Sequence, residues 1–267
     1  MAIDGGTLAS VDAPAIDFFP NDRHLEHWDV RKAQITVGDL LHMASGLDAD
    51  DSDPESYASE NAYQSQTVQP DWVRIALDAP MIADPGARPL YGSANPLLIG
   101  GILQTAVGSS VESFAHRHLF GPLGVTNYKW FLDPKGRVYM GGGMYMRPRD
   151  MLKLGQLYLD GGTWTGSRIL SEGWVQQSMA KHGRLDNVRD KNEYGYFWWH
   201  RNYAVGDQSI ASIEARGAGG QYIFVVPSLD LVAVVTSGNY RNGRSRQPED
   251  IMEQYILPAA VHASAKR

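Results

Sequence analysis

Cysteine is absent from the 267 residues, which excludes disulfides, thiol nucleophiles and cysteine-ligated zinc while leaving the redox compartment open. A basic excess is lacking as well. Lys and Arg number 24 against 30 Asp and Glu, giving a formal net charge of -6, whereas a nucleic-acid binder presents a basic face to phosphate. The densest basic stretch, Arg241-Asn242-Gly243-Arg244-Ser245-Arg246, is short and reads as a solvated loop. No run is long and apolar enough to span a bilayer; the longest, 222–236, is interrupted by Pro227 and Asp230. Met1–Gly6 shows neither the basic start nor the apolar core of an export signal, so the compartment stays open. Internal repeats and low-complexity tracts are missing too, which argues against a solenoid. His116 and His118 fall on different helix faces, so they do not suggest a metal site.

What is present is the composition of an ordinary globular chain, 43% hydrophobic and 10% aromatic, enough for one large domain with a sizeable core. Thr36 is placed to N-cap a helix in which Val37, Leu40, Leu41 and Ala44 share a face, with Gly46 as its C′ residue. Pro96 stands at an expected N1 position ahead of Leu97–Leu103. The Gly100-Gly101 pair there is a poor helix former and implies close packing against another element. Further helices are expected over 111–119, 148–159 and 171–181, the last closed by Gly183.

After Asn192 the chain turns β-branched and aromatic, predicting strands over 194–199, 209–216, 221–226 and 229–236. Gly217–Gly220 and Pro227-Ser228 mark turns between them, and a closing helix is expected over 248–263. Helices, then an antiparallel meander, then a helix predict an α+β fold. Within one domain spanning 1–267, residues 15–190 are expected to be mainly helical and 191–267 to hold the strands and closing helix.

Several segments carry chemistry, and their order is informative. Ile35-Thr36-Val37-Gly38-Asp39-Leu40-Leu41-His42-Met43-Ala44-Ser45-Gly46-Leu47 is followed by Pro85-Gly86 and Pro89-Leu90-Tyr91-Gly92-Ser93-Ala94-Asn95. Phe120-Gly121-Pro122-Leu123-Gly124 and Pro148-Arg149-Asp150 through Gly155-Gln156-Leu157-Tyr158-Leu159 come next, then Gly217-Ala218-Gly219-Gly220-Gln221-Tyr222 through Pro227. In order and spacing this set resembles the β-lactamase-related serine hydrolases: class C β-lactamases, penicillin-binding-protein-like esterases and 6-aminohexanoate-dimer hydrolases. The resemblance covers nearly the whole chain. It implies a β-lactamase/transpeptidase-like fold and an enzyme that cleaves a small ester or amide through an acyl-serine intermediate. It implies no metal or organic cofactor and leaves the oligomeric state open.

Acyl transfer by a serine needs a group to remove its proton, donors for the oxyanion and a proton for the leaving group. In the family a Ser-x-x-Lys pair faces a tyrosine. Tyrosine and lysine both titrate at about pH 10 when unperturbed, and clustering them brings a base toward neutrality. By resemblance Tyr91 fills the tyrosine role, with a core tyrosine as the plainer alternative. Ser93 occupies the third position of the Tyr-x-Asn motif. Serine there is nearer to the esterase-like and dimer-hydrolase-like members than to lactamases, and turn chemistry is the alternative. Ala215-Arg216-Gly217 stands where the family has Lys-Thr-Gly and keeps only the glycine. Gly217 and Gly219 are the implied substrate-binding turn and the Ala218 N–H an implied oxyanion donor; a plain hairpin turn is the alternative. Arg216 could meet an acidic substrate group or solvent.

The nucleophile is not where the family has it. The family's Ser-x-x-Lys helix leads into a segment like Ala2–Pro14, so the chain reads as the part of such a hydrolase that follows that helix. Such a chain is expected to lack the N-terminal strands, to leave the 229–236 strand uncovered and to be inactive or nearly so. The one Ser-x-x-Lys present, Ser178-Met179-Ala180-Lys181, comes after the tyrosine motif in a stretch matching a surface helix. The rival expectation is a non-catalytic relative that uses the same cleft to bind a ligand.

Overall fold

The computed structural model describes residues 1–20, 24–68, 70–188 and 192–264. It divides into two compact units interleaved along the chain: Met1–Tyr145 with His182–Lys191, and Met146–Lys181 with Asn192–Arg267.

The first unit is helical and loop-rich. Helix α1 (Val37–Leu41) opens on a capping box: Thr36 Oγ1 accepts the Asp39 N–H at 3.0 Å and the Asp39 carboxylate accepts the Thr36 N–H at 2.8 Å. The helix stops earlier than expected. Met43 takes the left-handed conformation that Gly46 was expected to supply, at φ 64°. Gly46 is left-handed as well, at φ 77°, and a Cβ there would also lie 2.4 Å from the Ala83 carbonyl oxygen. Helices α2 (Glu60–Gln64) and α3 (Trp72–Asp78) are capped by Ser59 and Asp71. At the far end of α3 the fully buried Lys32 donates from Nζ to the Leu77 carbonyl at 2.9 Å, and burial pushes its ammonium down to about 8.

Helix α4 (Ala94–Ala106) starts two residues before Pro96, so the proline sits inside the first turn and not at N1. The ring is tolerated there because first-turn N–H groups have no intrahelical acceptor. The glycine pair does permit close packing: a Cβ on Gly100 would meet Met140 Cγ at 2.8 Å, and one on Gly101 would meet Phe19 at 2.8 Å. Helix α5 (Val111–Ala115) continues as a π turn through Phe120. Tyr63, Trp72 and Tyr139 form an aromatic cluster with centroids 5.4–6.3 Å apart, which brings the Tyr139 phenol to Glu60.

The second unit is a sheet covered on both faces. Helix α6 (Pro148–Leu159) has its proline at N1; the hairpin β1 (Thr163–Trp164) and β2 (Ser167–Arg168) and helix α7 (Glu172–Met179) follow. Strands β3 (Glu193–Tyr194), β4 (Trp199–Val205), β5 (Gln208–Gly217), β6 (Gln221–Val226) and β7 (Leu231–Val235) run as an antiparallel meander in sequence order. The closing helix runs from α8 (Gln247–Ile251) through a π turn to α9 (Leu257–Ser264). The expected α+β architecture is present.

Alternation divides the sheet. Tyr222, Phe224 and Val226 of β6 pack with Met252 and Leu257 of the closing helix, while Ile223 and Val225 pack with Met151, Leu154 and Tyr158 of α6. Gly155 lets α6 lie against the sheet, since a Cβ there would fall 2.5 Å from Val232 and 2.8 Å from Ile223.

The expected strand over 194–199 is instead mostly a turn. Gly195 donates to the Trp198 carbonyl at 2.7 Å and Phe197 is left-handed at φ 62°, so the chain doubles back between β3 and β4. Strand β7 lies at the sheet edge, and all five of its residues are only half-buried. Among the described residues no single helix is long and apolar enough to cross a membrane.

Candidate active site

Tyr91 sits in a stretch that the rest of the first unit grips from several sides. Its N–H donates to Asn187 Oδ1 at 2.8 Å, and its carbonyl accepts from Asn187 Nδ2 at 3.0 Å and from the Asp51 N–H at 3.2 Å. The next residue, Gly92, is packed so closely that a Cβ would lie 1.7 Å from the Ala49 carbonyl oxygen. Ser93 then turns into α4. Its side chain makes no cap bond to the helix. Instead Oγ donates to Asp51 Oδ2 at 2.7 Å, and its N–H donates to the same oxygen at 2.8 Å. Ser93 is buried. Its hydroxyl thus faces the Asp51 carboxylate.

The electrostatics around Tyr91 run opposite to those the family resemblance implied. Burial first, then the Asp51 and Glu60 carboxylates, push its phenol up to about 12. Glu60 belongs to a proton-sharing group: Tyr139 donates to Glu60 Oε1 at 2.6 Å, and the Tyr63 and Tyr139 hydroxyls lie 2.7 Å apart. Burial and the Glu60 carboxylate likewise raise Tyr139 far above the ordinary phenol range. Asp51 is raised by burial against the opposing hydrogen bonds from Ser93 and the Glu60 N–H. Tyr91 is thus a firmly protonated phenol at neutral pH.

Asp51, Gly92 and Asn187 were missed by sequence reasoning. Gly92 carried a visible signal, being the central residue of the Tyr-Gly-Ser motif. In the acidic stretch 48–55, Asp48 accepts from Ser56 and Tyr57 and Asp51 from Glu60 and Ser93.

Gly217, Ala218 and Gly219 lie in the second unit, where β5 turns into β6. Gly217 and Ala218 are exposed. Gly219 and Gly220 adopt φ +78° and +89°, which L side chains rarely take. The turn is tied to the following segment: Ser237 Oγ and the Asn239 N–H donate to the Gly219 carbonyl at 2.8 and 2.9 Å. A Cβ on Gly219 would also strike the Tyr240 ring at 2.5 Å.

Arg216 meets neither solvent nor an open site alone. It donates to Glu214 at 2.7 Å, lies 3.8 Å from Glu249 and stacks over Trp199 at 5.0 Å.

Ser178 is buried, and its Oγ donates back to the Val175 carbonyl at 3.2 Å. Helix α7 ends at Met179, so Lys181 lies outside it and pairs with Glu193 at 2.5 Å. The two residues are therefore not held one turn apart on a common helix.

The helix-and-sheet architecture and the ordered motifs have a counterpart among known proteins. The beta-lactamase family model matches residues 4–255, and the chain belongs to that family. It is 25% identical over 155 residues to the 6-aminohexanoate-dimer hydrolase of Paenarthrobacter ureafaciens, a match covering 55% of this chain and 38% of that enzyme. The chain thus aligns with well under half of that relative's length. In fold it is similar to simvastatin synthase from Aspergillus terreus (TM-score 0.72, 16% identity, 98% of this chain and 79% of that one). It is also similar to the beta-lactamase/D-alanine carboxypeptidase from Yersinia pestis (TM-score 0.70, 17% identity, 97% and 78%).

Proposed function

We propose that the chain carries the proton-transfer and carbonyl-binding parts of a serine hydrolase that cleaves a small ester or amide through an acyl-serine intermediate. Tyr91 is the proton-transfer residue. Ser93 and Asp51 hold its segment in place. The exposed Ala218 N–H serves as an oxyanion donor, with Gly217 and Gly219 giving the substrate access to the strand end. One such donor lowers the barrier by about 3 kcal/mol.

The observation that carries this reading is the setting of Tyr91. A phenol pushed up to about 12 by burial and two carboxylates keeps its proton at neutral pH, and it becomes a base only when a cation is placed beside it. No Ser-x-x-Lys precedes it in these 267 residues, and Ser178 is not a substitute. By itself the polypeptide is therefore inactive or nearly so. The same anionic setting favours a second reading, in which Tyr91 donates a hydrogen bond to a bound ligand without catalysis.

Labelling with a fluorophosphonate probe, followed by peptide mapping, tests the assignment. No labelled serine is expected. A stoichiometric adduct on Ser178 or Ser93 would overturn it.

A further inference from the structure

We propose that Asn187 is the positioning residue for Tyr91, gripping its main chain as a neighbouring strand would and so fixing where its phenol points. The proposal rests on the proton-transfer role given to Tyr91 above. A carboxamide is suited to the task because it offers one acceptor and one donor group in a single plane, matching the N–H and C=O of one residue. Asn187 uses both. Oδ1 accepts from the Tyr91 N–H at 2.8 Å, and Nδ2 donates to the Tyr91 carbonyl at 3.0 Å across 96 residues of sequence.

The orientation of the amide is set by chemistry. Nδ2 also donates to Asp50 Oδ1 at 2.6 Å. A carboxylate only accepts, so the amide oxygen cannot face it and must turn to the Tyr91 N–H. Asp50 is itself held by the Ser52 N–H at 2.7 Å and the Ser52 hydroxyl at 2.6 Å. Burial works to raise Asp50, but the bonds from Ser52 and Asn187 outweigh it and keep the carboxyl below its ordinary range.

The bracket extends one step further. The Asp186 N–H donates to the Pro89 carbonyl at 2.9 Å, so 186–187 runs beside 89–91. On the other side Gly92 is pinned against Ala49 and Ser93 against Asp51. Tyr91 is thereby fixed on both flanks, and Asn187 is the member of this set that holds Tyr91 through a side chain. A polar network of this kind, holding one residue's N–H and C=O together, specifies one geometry.

The test is an NMR titration of the full chain carrying 13Cζ-labelled tyrosine, with Tyr91→Phe assigning the resonance, alongside amide exchange at Tyr91. In the parent the phenol is expected to titrate near 12, with a protected amide. Asn187→Ala should move the titration toward the free-phenol value of about 10 and speed Tyr91 amide exchange by at least about tenfold, the loss of one ordinary hydrogen bond. Asn187→Gln, which keeps the amide on a longer stem, should fall between and remain measurable if the alanine variant folds poorly. A folded variant with lowered thermal stability but unmoved titration and exchange at Tyr91 would overturn the proposal and reduce Asn187 to a packing residue. Failure of the functional reading looks different: ester turnover that survives Tyr91→Phe, whatever Asn187 does.

Discussion

Replacing Glu249 by alanine should lower stability by about 3–5 kcal/mol, the range for breaking a buried ion pair from one side. Glu249 is buried and accepts from Arg201 at 2.6 Å, Arg246 at 3.0 Å and the Tyr222 hydroxyl at 3.1 Å, with Arg216 at 3.8 Å. Beside it the fully buried Glu214 accepts from Arg216 at 2.7 Å and from the Tyr203 hydroxyl at 2.9 Å. Two carboxylates here balance the largely buried Arg201 and Arg216; Arg246 is 68% exposed and contributes little. Without Glu249, Arg201 loses the carboxylate it meets at 2.6 Å and Arg216 keeps the Glu214 carboxylate at 2.7 Å, so the balance of buried charge is upset. Glu249→Gln should lose less, because the amide oxygen still accepts one of these bonds. Urea denaturation reads the difference. A Glu249→Ala midpoint corresponding to less than about 1 kcal/mol would mean that the charge network is not closed as described.

Gly92→Ala should be the most damaging single methyl group near Tyr91, at about 3 kcal/mol, the upper end of ordinary overpacking. The added carbon would sit 1.7 Å from the Ala49 carbonyl oxygen and 2.9 Å from its carbon. Both atoms are backbone, so no flexible side chain can swing away. Either 91–93 or 48–50 must shift, and either movement strains the Ser93–Asp51 bonds. Gly142→Ala is the control, since no heavy atom lies within 4 Å of the added carbon, and it should stay within about 0.5 kcal/mol of the parent. Equal melting temperatures for the two variants would contradict the packing described at Tyr91.

The elements that were legible in the sequence are those whose causes are local. Helix α6 begins at Pro148 because proline is suited to N1. Strand β6 is apolar on both faces and bounded by turn residues, so no other pattern competes with it. Elements with distant causes were not legible. Strand β4 contains His200, Arg201 and Asn202, and Arg201 is tolerated because Glu249, 48 residues away, neutralises it. The 194–199 stretch has strand composition but reverses at Phe197, a left-handed residue that composition does not reveal.

Among the residues proposed to act, the same division holds. Tyr91, Ser93 and Gly217–Gly219 were visible as ordered motifs. Asp51 and Asn187 were not, because each is defined by partners 42 and 96 residues away. The engagement of Arg216 did leave a trace: Glu214 stands two positions earlier on the same strand face, the spacing at which side chains on one face are neighbours.

Hydrolysis of an activated ester such as p-nitrophenyl acetate, by the purified 267-residue chain and by its Tyr91→Phe variant, tests most directly whether Tyr91 serves a hydroxyl that these residues do not themselves supply. The expected result is no saturable turnover above buffer for either protein. Saturable turnover at enzymatic rates that survives Tyr91→Phe would contradict both the role given to Tyr91 and the reading of Ser178 and Ser93 as structural.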